Sequence, residues 1–196
     1  MTNRVRQAML IGSFLPLCWL GMMIVHEAGH VAGAMLSGGT VNRVILHPVA
    51  ISRTDVDPNP VPWFVVWAGP VVGCLLPLGG WQLCAVRRWR LAYLPRFFAG
   101  FCLVSNGAYI GIGSLELIGD AGDMLRSGSS IWCLWLFGAI TVPAGFVFWH
   151  GLGHHFGLGA ARGNVDSRAA WITTIMLIVV LAAELLVDCC LRAVDR

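Results

Sequence analysis

His26, Glu27 and His30 stand in the order H-E-x-x-H toward the end of the first apolar run of this 196-residue chain. On a helix, residues four apart differ by about 40° around the axis and by one turn along it, so both imidazoles can reach one metal ion at about 2.0–2.1 Å. Glu27 then projects to the side, where it can take a proton from a metal-activated water and pass it to a leaving amine. In a large soluble protein these five residues often arise by chance. At membrane depth, three ionisable groups cost on the order of 2–3 kcal/mol each unless something binds them, so the expectation is one Zn2+ per chain as cofactor.

The elements that must hold this motif are apolar. Hydrophobic residues make up 57% of the sequence and charged residues 12%, and the mean hydropathy is +0.74, a composition suited to lipid as solvent. Spans are expected at about 9–36, 63–86, 97–118, 131–149 and 169–190, the last interrupted by Glu184, each close to the ~20 residues that cross a hydrocarbon core. The fold class is therefore an all-α polytopic membrane protein, a single membrane-embedded domain over 1–196. No room is left for a large soluble domain, so substrate selection falls to helices, loops or other proteins. A signal-peptide reading, with cleavage after Ala32-Gly33-Ala34, is rejected because the apolar run is too long and cleavage would remove the motif.

The one long polar interruption, 37–62, reads as a short β-hairpin-like loop. Val41 to Leu46 and Val49 to Arg53 have strand-like composition, and His47-Pro48 turns between them. An exposed strand edge there could pair with an extended peptide. All thirteen basic residues are arginine, scattered along the chain, with a net charge of +3, which argues against nucleic acid as a partner. Placing the N-terminus in the cytoplasm puts arginines 4, 6, 87, 88, 90, 96, 162 and 168 inside, and 43, 53, 126, 192 and 196 outside, in weak accord with the positive-inside rule. Seven cysteines without C-x-x-C spacing, mostly inside spans, argue against a disulfide framework.

The sequence resembles the site-2 protease family of intramembrane zinc metalloproteases. The resemblance rests on H-E-A-G-H in an early span, Trp67-Ala68-Gly69-Pro70-Val71-Val72-Gly73 in the next, and Gly119-Asp120-Ala121-Gly122-Asp123-Met124-Leu125 after a later one. It departs from the family's L-D-G-G-x-x-L at Ala121. The resemblance implies a multi-pass protein of a bacterial cell membrane that cuts membrane-spanning or membrane-proximal substrates. It makes Glu27 catalytic and His26, His30 and Asp120 the metal ligands. It also points to a catalytic site toward the cytoplasm with the N-terminus outside, against the arginine count.

Several alternatives stay open at this point. Glu116 and Asp123 compete with Asp120 for the third ligand position, since spacings of four and three share one face if the helix continues that far. Gly69 and Gly73 fit small-residue helix packing. Asn106, polar at membrane depth, is a candidate either for contact with substrate or a ligand or for an interhelical hydrogen bond. His150, His154 and His155 form an H-x-x-x-H-H box that, with His26 and His30, evokes a membrane di-iron oxygenase or desaturase, although six histidines in all are few for one. An inactive protease-like scaffold is the third class. A regulatory membrane partner would be compatible with any of these.

Overall fold

The computed structural model describes residues 2–49 and 51–194, with side chains described through residue 189. Ala50, within the expected second strand, and Arg196, in the charge count, lie outside them. Six α-helices and one hairpin follow in order: α1 Asn3–Leu36, β1 Val41–Ile45, β2 Arg53–Val56, α2 Pro62–Val86, α3 Tyr93–Glu116, α4 Gly119–Arg126, α5 Ile131–Trp149 and α6 Ser167–Val194. All but α4 are long and apolar enough to cross a membrane. Helices are the form in which lipid-buried backbone satisfies its own hydrogen bonds. At ~1.5 Å per residue, the 34 residues of α1 make a rod about 50 Å long, well beyond a ~30 Å hydrocarbon core.

Close glycine contacts fix how the helices run. Gly29 and Gly33 of α1 lie against Ala68 and Val65 of α2, so these two are antiparallel. Gly21 faces Phe98 while His26 meets Asn106, so α1 and α3 run the same way. Gly100, Gly107 and Gly138 bring the α3 and α5 backbones together, and a Cβ on Gly138 would stand 2.9 Å from the carbonyl oxygen of Gly107. Between membrane helices, where no hydrophobic force drives association, such small residues allow the van der Waals contact that holds the bundle. The outer faces of α5 and α6 expose Leu136, Ile140, Val147, Ile175 and Val179, as lipid contact requires. Tryptophans 63 and 132 mark one end of the bundle and Trp89 and Trp171 the other, each at least 46% exposed, in the manner of interfacial aromatic belts. Glu184 is 4% exposed and so faces the bundle interior, not lipid.

The hairpin differs from its expected register. Its strands pair antiparallel with Val44 opposite Thr54 and Ile45 opposite Arg53, so the second strand begins where the sequence reading ended it, at Arg53. Its root explains this. Thr40 donates to Pro58 O at 3.0 Å and accepts from Asp57 N at 2.9 Å, pinning residues 40 and 57 together just after α1 and leaving 46–52 for the connection. Val49 and Ile51, at 88% and 79% exposed, stand out from that tip. α3 also stops at Glu116, two residues short of the expected 118, where Leu117 turns left-handed at φ 57.

If the α3–α5 seam holds the bundle, Gly138→Ala should destabilise the protein in detergent by about 1–3 kcal/mol through overpacking. Gly79→Ala, where an added Cβ meets nothing within 4 Å, should be neutral or slightly stabilising. Thermal or denaturant unfolding of the two variants side by side checks this, and equal effects would remove the seam from the account.

Candidate metal centre

The motif residues occupy the seventh and eighth turns of α1, on the face turned toward α2, α3 and α4. His26, Glu27 and His30 are 6%, 3% and 7% exposed. The Nε2 atoms of the two histidines are 3.1 Å apart, and Asp120 Oδ2 lies 2.7 Å from His26 Nε2 and 3.3 Å from His30 Nε2. Ligand atoms about 2.0–2.1 Å from one tetrahedral ion sit roughly 3.3 Å from one another, so a triangle of these edges is close to what three protein ligands of zinc form. Among the described residues this is the one grouping of three such side chains compact enough to hold an ion.

The opposite edge of each ring shows which nitrogen is free. His26 Nδ1 is 2.6 Å from Asn106 Oδ1, and the Asn106 amide is oriented by its own donation from Nδ2 to Cys102 O at 2.9 Å. An oxygen acceptor there requires the proton on Nδ1. His30 Nδ1 donates likewise to Val65 O at 2.9 Å. Both rings therefore hold Nε2 as the lone-pair nitrogen when neutral, which is how outer hydrogen bonds prepare a histidine for a metal. Residues Gly69 and Gly73 give these contacts room. A Cβ on Gly69 would overlap His30 Nε2, and one on Gly73 would come within 3.0 Å of the Asn106 amide.

Asp120 arrives from a separate element. After the left-handed Leu117 and Gly119 (φ 52), the chain forms the eight-residue helix α4. Ala121 and Met124, both fully buried, pack with Val66, Ile110 and Leu134. That leaves Asp120 on the cavity side in the first turn, where the helix dipole favours an anion. Its backbone N–H donates to Tyr109 Oη at 3.2 Å, and a side chain at Gly119 would collide with that hydroxyl. Burial alone would raise the Asp120 carboxyl, but when the two imidazoles are protonated their hydrogen bonds and charges prevail and hold it well below the usual carboxylate range.

The three donors and Glu27 border a cavity of about 1050 Å³ that β2 roofs on one side. Glu27 Oε2 accepts from Thr54 Oγ1 of β2 at 2.6 Å. Asp123 also borders the cavity, but its Oδ1 is held by Arg126 at 2.6 Å. Glu116 ends α3, exposed and outside the cavity lining, because α3 and α4 are not one continuous helix. Asn106 is buried behind His26 at 1% exposed. Tyr109 escaped the sequence reading, although it follows Asn106 by three and so shares its helix face. Thr54 carried no signal beyond its place in the hairpin.

The late histidines lie elsewhere. Gln7, near the start of α1, donates to Phe156 O and Gly157 O at 2.9 Å each, and His155 stacks on Tyr93 with centroids 4.3 Å apart. Nineteen residues of α1 separate Gln7 from His26, roughly 29 Å along the axis. The two histidine boxes sit at opposite ends of the bundle and cannot share a pair of metal ions. Burial, then His154 and Arg96, holds the His155 imidazole below its ordinary value.

The family model described as peptidase M50B-like matches residues 8–109, just over half of the chain. The chain belongs to this family, that of the site-2 proteases. No curated protein and no solved structure matches it. The peptidase M50B-like match contains His26, Glu27, His30, Gly69 and Asn106 and ends before Asp120, the acid that the geometry brings to the two histidines. Peptidases of this family are membrane enzymes that typically use zinc, and the His26–His30–Asp120 group is a donor set zinc accepts.

His26→Ala, His30→Ala and Asp120→Ala are each expected to leave purified protein almost free of zinc, whereas Asp123→Ala and Glu116→Ala keep it. Asn106→Leu should weaken zinc binding by about 10–100-fold, the usual effect of losing an outer hydrogen bond. Elemental analysis and competition with a chelator read both effects. Full zinc in Asp120→Ala would move the third ligand elsewhere.

Proposed function

We propose that the chain is a zinc metalloendopeptidase of the site-2 type, cutting peptide bonds of membrane-spanning or membrane-proximal substrates with one zinc per chain. The observation that carries this reading is the meeting of His26 Nε2, His30 Nε2 and Asp120 Oδ2 beside the buried Glu27, in a cavity reached from the hairpin end of the bundle. Zinc held by these three donors supplies Lewis acidity that lowers the pKa of water and polarises a carbonyl.

The chain's own residues do the rest. Glu27 is the general base: its carboxylate takes the proton of the attacking water and delivers it to the departing amide nitrogen, which leaves as an amine. One water is consumed, one C–N bond breaks, and an acid and an amine form. Asn106 and Val65 O hold the two imidazoles in the tautomer needed at the metal. The walls of Trp19, Met22 and Met23 keep the near side of the cavity apolar, suiting a substrate that is itself apolar. The β2 strand lies along the cavity with its backbone available, and an extended substrate can add to such an edge.

The reading predicts that Glu27→Gln retains zinc and loses cleavage of a single-span reporter by roughly 10²–10⁴-fold, the range of a removed general base. Replacing His150, His154 and His155 together should change neither zinc content nor cleavage by more than about twofold. Undiminished turnover by Glu27→Gln would end the peptidase mechanism, and zinc loss in the triple variant would return the second histidine box to the chemistry.

A further inference from the structure

A glutamate that serves as base must keep its carboxylate at one position beside the metal, yet its side chain has three rotatable bonds and carries no partner of its own within H-E-x-x-H. Here Glu27 is 3% exposed, and among the described residues its one hydrogen-bond partner is the Thr54 hydroxyl, 2.6 Å from Oε2. A carboxylate only accepts, so Thr54 donates. The donor comes from β2, twenty-seven residues along the chain and outside the helices that supply the metal-facing donors. Its own position is set by strand pairing, Thr54 opposite Val44, and by the Thr40 hydrogen bonds at the hairpin root.

We propose, building on the peptidase reading, that Thr54 is the positioning residue for the base Glu27. Its hydroxyl occupies Oε2 and so fixes the rotamer that leaves Oε1 to accept the proton from the attacking water. The hairpin beside which substrate lies then also sets the base. Misplacing a reacting group by about 1 Å can cost on the order of 10²-fold in rate, and one oriented hydrogen bond is enough to decide such a displacement.

The test uses the full chain in phosphatidylethanolamine–phosphatidylglycerol vesicles. The probe is a doubly tagged single-span reporter, selected from a library of such segments because the unsubstituted chain cleaves it. Thr54→Val keeps the shape of the side chain and removes the hydroxyl. The expected result is a kcat lowered by about 10–100-fold, with KM and zinc content within about twofold. Thr54→Ser, which keeps the hydroxyl, should recover most of the lost rate. Thr54→Ala serves as the second hydroxyl-free variant if Thr54→Val fails to fold. Full turnover in a folded hydroxyl-free variant overturns the proposal, and so does a loss confined to KM or a serine variant as slow as valine with its zinc retained. Glu27→Gln separates the two levels: if it cleaves normally the peptidase reading itself falls, and if it is silent while Thr54→Val is fully active, only the role of Thr54 falls.

Discussion

Two imidazole nitrogens and a carboxylate oxygen crowd within 3.3 Å of one another, inside a bundle whose outer face is meant for lipid. Without an ion, that crowding of polar groups at low dielectric would be costly. Much of the surrounding architecture serves to impose it. Asn106 and Val65 O turn both rings so that their lone pairs converge, and the Cys102 carbonyl in turn fixes the amide of Asn106. The convergence is therefore directed from behind the rings, by groups already satisfied through neutral hydrogen bonds. A metal entering the triangle need replace only contacts among the donors themselves.

The glycines make this possible by removing volume where rings must pass. Gly29 and Gly33 let α1 approach the α2 backbone, and Gly69 clears the exact space of His30 Nε2. Read in isolation, the spacing of Gly69 and Gly73 is that of a helix-packing motif. In place, each faces a polar side chain of the candidate site, so their packing role and the room they leave for His30 and Asn106 are one constraint. Pro70 adds to this: lacking an N–H, it cannot bond back to the carbonyl of Val66, next to the Val65 carbonyl that receives His30.

How much of this was legible in the sequence follows the range of the interactions. His26, Glu27 and His30 are related by the helix repeat alone, and five spans follow from hydropathy, so both could be read locally. The acid that meets the two histidines could not. Glu116, Asp120 and Asp123 share a face only on an unbroken helix, and the break falls at Leu117, a residue with no turn preference, held left-handed because Ala121 and Met124 are drawn into the Val66–Leu134 cluster. Resemblance to the family's aspartate element pointed to Asp120 where periodicity left three acids open. The strand register was likewise set from outside the apolar pattern, by the hydrogen bonds of Thr40 at the hairpin root. Tyr109 and Thr54 act across 11 and 27 residues, distances at which composition says nothing about contact.

The departure at Ala121 has a physical explanation that bears on how the site tolerates change. Where the family element carries a glycine after its aspartate, this chain places a methyl group, fully buried against α3. The α3 residue facing it is Gly113, and a Cβ there would lie 3.3 Å from that of Ala121, tighter than side chains ordinarily pack. The close approach of α4 to α3 is thus kept by a glycine on the α3 side of the contact. What the chemistry requires is the separation between the two backbones, since that separation sets the reach of Asp120 toward His26. Either partner can supply the missing volume. Gly122 has no such freedom, because a side chain there would strike the Leu117 carbonyl in the link between α3 and α4. The two positions after the aspartate are therefore unequal: the first is constrained through a neighbouring helix that can compensate, and the second through the chain's own backbone, which cannot.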